Sequence, residues 1–225
     1  MAGEVASRLL ISCTGLDSTS IKDAQWVFEQ AFREYGLPRV MRTDNGSPFA
    51  SCGLHGLSRL SVWWMRLGIK PERIEPGKPQ QNGQHERMHL TLKEDATRPS
   101  SYDLLHQQER FDTFQQTFNE VRPHESLGMR RPKEFYQPSE RPYPKSLDEP
   151  TYPLHDLTSR VYDSGHLLIT AKFKVYISTA LSGQQLGLRE IEPRRWLVSY
   201  MDLDLGLADE ATRLFTPTDT HSGPS

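Results

Sequence analysis

Arg42-Thr43-Asp44-Asn45-Gly46-Ser47-Pro48-Phe49 places an acid where a short strand-like run, residues 38–42, stops and the chain must turn. The run reads as a short strand. Asn45-Gly46 tolerates positive φ, so a tight turn can follow at once and let the Asp44 carboxylate project. In α/β sheets that end of a strand is where ligands collect. Asp-Asn-Gly is also an ordinary surface turn, and these eight residues alone do not separate the two readings.

The flanking sequence favours the α/β setting. Upstream, 7–14 (Ser-Arg-Leu-Leu-Ile-Ser-Cys-Thr) reads as a strand. Residues 20–35 read as a helix, with Ile21, Ala24, Phe28, Ala31, Phe32 and Tyr35 as its stripe. Ser20 and Asp23 suggest a capping box, and Gly36 with Pro38 a stop. Downstream come a helix at about 55–67 (Leu57, Leu60, Trp64, Leu67), a strand at 69–74, a Pro/Gly-rich loop and a helix from about 82 to 97. A helix at about 103–121 follows, with Leu104, Phe111, Phe114, Phe118 and Val121 on one face. Strands alternating with helices imply an α/β layer.

Residues 130–158 hold Pro132, Pro138, Pro142, Pro144, Pro150 and Pro153, which predicts a stiff, extended linker. From 159 the pattern changes to short strand-like runs: Val161–Tyr162, His166–Thr170, Phe173–Ile177, Leu186–Ile191 and Trp196–Tyr200. These predict a small antiparallel barrel or sandwich. The expected division is therefore an α/β domain at 1–129, a linker at 130–158, a small β-domain at 159–216 and a disordered tail at 217–225.

The 225 residues are 36% hydrophobic and 25% charged, a globular composition, and the apolar runs are too short to cross a bilayer. No secretory signal is visible, and two cysteines, Cys13 and Cys52, suggest reduced thiols in a cytosol. A net charge of −2 and a pI near 6.5 argue against a purely electrostatic DNA binder. The charge is uneven: 59–98 carries eight Lys/Arg against five acids, whereas 201–225 carries five acids and one Arg. The middle of the chain is the better nucleic-acid face.

A second motif lies there: Pro76-Gly77-Lys78-Pro79-Gln80-Gln81-Asn82-Gly83-Gln84-His85-Glu86-Arg87, running into Met88-His89-Leu90-Thr91-Leu92-Lys93. Helical phase turns Met88, Leu92 and Ala96 to the core and groups Glu86, His89, Leu90 and Lys93 on another face. Such a face suits a metal ligand beside a phosphate contact, and equally an ordinary solvated Glu–Lys face. Taken together, Asp44 and Glu86 are more telling. Phosphodiester transfer needs charge neutralised on attacking and leaving oxygens, which two divalent metals roughly 3.5–4 Å apart accomplish. Carboxylate oxygens suit Mg²⁺.

The order Asp44-Asn45-Gly46-Ser47-Pro48-Phe49, Gly56-Leu57-Ser58-Arg59-Leu60-Ser61-Val62-Trp63-Trp64, Leu67-Gly68-Ile69, Pro76 to His89 and Asn119-Glu120-Val121-Arg122-Pro123-His124 resembles the integrase catalytic core of bacterial insertion-sequence transposases, the DDE group, over 7–136. The following segment resembles their C-terminal extension. The resemblance implies a ribonuclease H-like core, a mixed sheet flanked by helices, beside the small all-β C-terminal barrel. It implies Asp44 and Glu86 as catalytic, metal-holding carboxylates, with Mg²⁺ or Mn²⁺ as cofactor. It implies Asn82, Arg87, His89 and Lys93 as DNA contacts, with transposon ends and target DNA as partners. A homo-oligomer on DNA and a bacterial, nucleoid-associated location follow, with no membrane. Family members carry a first catalytic Asp on a strand preceding the equivalent of Glu4–Gly15. No such Asp is found here, and Asp17 and Asp23 are poor substitutes. The expectation is a core lacking its first strand. Two readings follow: Mg-dependent DNA strand cleavage and transfer, or a catalytically inactive, truncated fragment that binds DNA or full-length transposase. A stand-alone ribonuclease H-like nuclease fits the C-terminal β-region less well.

Other features have plainer readings. His85, His89 and His124 match no structural zinc spacing. Trp63-Trp64 could stack bases but reads as packing, and Arg194-Arg195 as half-exposed strand charge. Neither cysteine has a catalytic partner.

Overall fold

The structure, a computed structural model, describes residues 2–3, 7–16, 20–43, 49, 53–73, 83–97 and 103–218, the side chains of 2–3 and 83–86 excepted. The chain folds into two compact units, one of Met1–Asp44 with Ile69–Pro144, the other of Asn45–Gly68 with Lys145–Ser225.

In the first unit, β1 (Ala2–Gly3) pairs antiparallel with β2 (Leu10–Ser12), and β3 (Val40–Thr43) pairs parallel with β4 (Lys70–Arg73). Helix α1 (Ile21–Tyr35) starts as its sequence dictates. Ser20 Oγ accepts from the Asp23 N–H at 3.1 Å and donates to Asp23 Oδ2 at 2.6 Å. Its buried side is Ala24, Phe28, Ala31 and Phe32. It ends at Gly36, whose φ of 78° suits glycine. A side chain there would also strike the Ser139 carbonyl oxygen, 2.8 Å from its Cβ position.

Helices α3 (Gly83–Ala96) and α4 (Leu104–Gln116) pack on β2. Leu92, Ala96, Phe114 and Phe118 close around Leu10 and Cys13, with Met88 and Phe111 at the margin. The expected single helix to residue 121 is modified: a wide π turn covers Thr117–Val121. That turn advances the register by one residue. Val121 leaves the stripe and is exposed, as is Leu104 at the other end.

The second unit is antiparallel. Its sheet runs β11 (Leu214–Pro217), β10 (Leu203–Asp209), β9 (Arg195–Tyr200), β8 (Gln185–Glu192), β5 (Leu157–Arg160), with a separate hairpin of β6 (His166–Thr170) and β7 (Phe173–Tyr176). Alternation sends Leu167, Ile169, Phe173 and Val175 inward from the hairpin to meet Leu186, Leu188, Val198 and Tyr200. Helix α2 (Arg59–Arg66) also joins this core, through Leu57, which precedes it, and Val62. The Tyr200 hydroxyl donates to the Val62 carbonyl at 3.4 Å. The sequence reading grouped α2 with the integrase-like segment, because spacing identifies an amphipathic helix without saying what it packs against.

The proline-rich stretch holds a short 3₁₀ turn at Pro132–Glu134, runs without helix or strand over 135–156, and gives its last two residues to β5. It is pinned down rather than loose. Leu37 N–H donates to the Arg141 carbonyl at 2.7 Å, and Arg141 Nη1 donates to the Pro38 carbonyl at 2.9 Å. From Lys145 onward the strap belongs to the second unit, where Arg66 Nη2 donates to the Asp148 carbonyl at 2.7 Å. Of the expected tail, Pro217 ends β11 and the Thr218 N–H donates to the Leu205 carbonyl; residues 219–225 lie outside the described residues.

Candidate functional site

The parallel pair sets the frame. Thr43, last in β3, stands opposite Arg73, last in β4, so the chain leaves both strands at one carboxyl edge. Asp44 is the next residue after Thr43. Asp44 and Asn82 lie outside the described residues, and so does the side chain of Glu86, whose backbone lies in the first turn of α3. The described strands β1 to β4 carry one acid, Glu72, and it is ion-paired: Arg42 Nη2 lies 3.2 Å from its carboxylate and Lys70 Nζ 3.8 Å.

Helix α3 divides as its sequence phase requires. Leu92 and Ala96 are buried and Met88 packs beside them, while Arg87, His89, Leu90 and Lys93 face outward. Side chains of α4 hold the helix end: Gln107 Nε2 donates to the Ala96 carbonyl at 2.8 Å and Arg110 Nη2 to the Asp95 carbonyl at 3.4 Å. The outward face is not purely basic, since Glu94 and Asp95 are exposed too and Arg122 pairs with Asp95 at 3.8 Å.

Sequence reasoning missed how β2 is held. Asn119, buried in the π turn, accepts from the Leu10 N–H at 2.8 Å and donates to the Leu10 carbonyl at 2.9 Å, as a neighbouring strand would. Gln115 Nε2 donates to the Ile11 carbonyl at 2.9 Å and Gln108 Nε2 to the Cys13 carbonyl at 3.0 Å, while Gln108 Oε1 accepts from the Gly15 N–H. The available signal was three amides recurring on one side of α4 and its extension, interleaved with Phe111, Phe114 and Phe118.

The remaining candidates resolve toward packing. The His124 ring sits edge-on to Phe118 at 4.6 Å, and burial holds its pKa below the usual histidine value. Among the described residues no three His, Cys, Asp or Glu side chains gather as a metal would need. Trp64 is buried and stacks on Phe49 at 6.3 Å. Trp63 lines a shallow cleft of about 270 Å³ with Arg59, Arg66 and Gln184, but Arg66 is already engaged by Gln184 and by main-chain carbonyls. Arg194 and Arg195 face acids, Glu210 at 3.7 Å and Asp209 at 4.0 Å. Burial raises the Cys13 thiol to about 11, which keeps it protonated and unreactive at neutral pH.

Residues 67–132, which span β4, α3, α4 and the Asn119–His124 segment, match the integrase core domain family. Over 110 residues the chain is 30% identical to the insertion element IS476 uncharacterized 39.2 kDa protein of Xanthomonas euvesicatoria, covering 48% of this chain and 30% of that protein. It is 30% identical over 108 residues to the insertion element IS407 uncharacterized 31.7 kDa protein of Burkholderia multivorans, covering 48% and 37% respectively. A 75-residue stretch is 39% identical to the Gag-Pol polyprotein of baboon endogenous virus, covering 33% of this chain and 4% of that one. The chain thus spans about a third of the insertion-element relatives it matches. Its sequence is similar to these insertion-element proteins and, over residues 67–132, to the integrase core domain family. No helix among the described residues is long and apolar enough to cross a membrane.

Proposed function

We propose that this chain acts in DNA transposition, its integrase core cleaving and joining DNA strands at transposon ends in a divalent-metal-dependent reaction. The observation that carries this is α3: it lies within the matched segment, buries Leu92 and Ala96, and turns Arg87, His89 and Lys93 outward. Asp44 follows directly on a strand's carboxyl edge, where α/β folds bind ligands. Asp44 and Glu86 are the residues that would hold Mg²⁺ or Mn²⁺, since carboxylate oxygens suit such ions, and a bound ion supplies charge neutralisation at the reacting phosphate. Arg87 and Lys93 orient the phosphates, and Asn82 and His89 contact DNA. The mixed parallel and antiparallel pairs of the first unit fit a ribonuclease H-like sheet, and the second unit fits a small barrel. The working form is a homo-oligomer on DNA, in a bacterial nucleoid.

A second reading has its own support. Among the described residues, strands β1 to β4 offer no carboxylate besides the ion-paired Glu72. In that reading the chain binds DNA or full-length transposase without cutting. A strand-transfer assay with Mg²⁺ and labelled transposon-end duplexes separates the two. Joined products lost in Asp44→Asn and Glu86→Gln support catalysis. End binding without products, unchanged by both substitutions, supports the second reading. Cleavage without joining refutes the transposase assignment.

A further inference from the structure

The outward face of the β6–β7 hairpin gathers aromatic and basic side chains. Alternation that buries Leu167, Ile169, Phe173 and Val175 leaves His166, Leu168, Lys174 and Tyr176 pointing out. Register sets His166 opposite Tyr176 and Leu168 opposite Lys174. The His166 and Tyr176 rings meet edge-on at 5.4 Å, and Lys174 Nζ lies 5.1 Å over the Tyr162 ring. Both tyrosines remain about half exposed, at 49% and 52%. Residues 166–176 hold Lys172 and Lys174 and no acid, in a chain of net charge −2.

Half-exposed aromatic rings would normally be buried or trimmed in a surface meant only for water, and each ring here carries a cationic or titratable neighbour. That combination serves one ligand chemistry well: unpaired nucleotides, whose bases stack on tyrosine faces and whose phosphates meet the lysines. A duplex hides its base faces and would use only the lysines.

We propose that the β6–β7 hairpin, with Tyr162, is a single-stranded nucleic-acid platform, on which Tyr162 and Tyr176 stack bases and Lys172 and Lys174 take the backbone. The site lies within the second unit and needs no metal.

Fluorescence anisotropy with the full chain tests it, using labelled oligo-dT, oligo-rU and a duplex of equal length over a salt series. Tyr162→Leu and Tyr176→Leu are each expected to weaken single-strand binding about 5-fold to 150-fold. Lys172→Gln and Lys174→Gln are each expected to flatten the log–log salt slope by about 0.7. Lys22→Gln, exposed on α1, is expected to leave single-strand binding unchanged. Comparison of dT with rU shows which sugar is accepted, and tighter binding of either one supports the platform. Unchanged unfolding midpoints in the tyrosine variants, whose rings are half in water, separate lost binding from lost fold. Single-strand affinity insensitive to both tyrosines overturns the proposal, as does equal binding of the duplex. Self-association lost in Tyr176→Leu, with no oligonucleotide bound, assigns the face to a second copy and also overturns it. The strand-transfer assay judges the transposition reading independently, so either can fail alone.

Discussion

Replacing Asn119 with alanine removes a buried amide that satisfies both main-chain groups of Leu10, at 2.8 and 2.9 Å. Leu10 is fully buried, so its N–H and carbonyl lose their partner within the protein core. Each such orphaned group costs about 1–3 kcal/mol. Two would cost about 2–6 kcal/mol, and water entering the space left by the amide relaxes the upper end to about 4 kcal/mol. The loss falls on the first unit, which contains α1, α3 and α4 and only Trp26 of the four tryptophans. Trp63, Trp64 and Trp196 report on the second unit. Urea unfolding followed by circular dichroism at the helix band should therefore shift to lower denaturant, while tryptophan fluorescence shifts far less. The exposed Gln116→Ala serves as control and should stay within about 0.5 kcal/mol. A helix-band loss below about 1 kcal/mol for Asn119→Ala, or an equal shift in both signals, would refute the idea that this amide stands in for a strand.

Three further outcomes are expected. At the start of α4, hydrogen bonds from the His106 backbone and ring hold the Asp103 carboxyl below its usual 3.8, and Asp103 holds the His106 ring above 6.5. The Asp103 contribution is present above 3.8 and fades as pH falls through its lowered value; that of His106 is present below 6.5 and fades as pH rises through its raised value. Both therefore operate between, and NMR titration of His106 should show its pKa falling in Asp103→Asn. In a Cys52→Ala background, Cys13 should resist alkylation at pH 8 until the chain unfolds, and rapid labelling of the folded protein would contradict its burial. Gly187→Ala should destabilise the second unit by about 1–3 kcal/mol, read by tryptophan fluorescence, because the added carbon would sit 2.4 Å from the Tyr152 ring and 2.7 Å from the His155 ring.

Local signals carried much of this fold. Ser20, Asp23 and Gly36 delimited α1, and the phase of Met88, Leu92 and Ala96 oriented α3, because caps and periodicity act over a turn or two of helix. Long-range choices were hidden. Nothing in the pattern of Leu57, Leu60 and Trp64 says that α2 packs with β-strands a hundred residues later. Strands β10 and β11 were missed, since Asp204, Gly206 and Asp209 interrupt the first with residues that usually mark turns. In the candidate site, residue types at Asp44 and Glu86 were readable, whereas the amides holding β2 were not. Glutamine on a helix is ordinarily solvated, and only the tertiary fold brings a strand backbone within its reach.

The excursion of α2 into the second unit has a consequence for biosynthesis. Residues 45–68 leave the ribosome well before 145–225, the segment that completes their core. Leu57 and Val62, both buried in that core at the end, must wait uncovered while the first unit and the strap are made. A product ending near residue 144 would keep these side chains and never receive their cover. Early termination should therefore yield a sticky polypeptide that chaperones hold or proteases remove, and the two units should be inherited and expressed together rather than as separable modules.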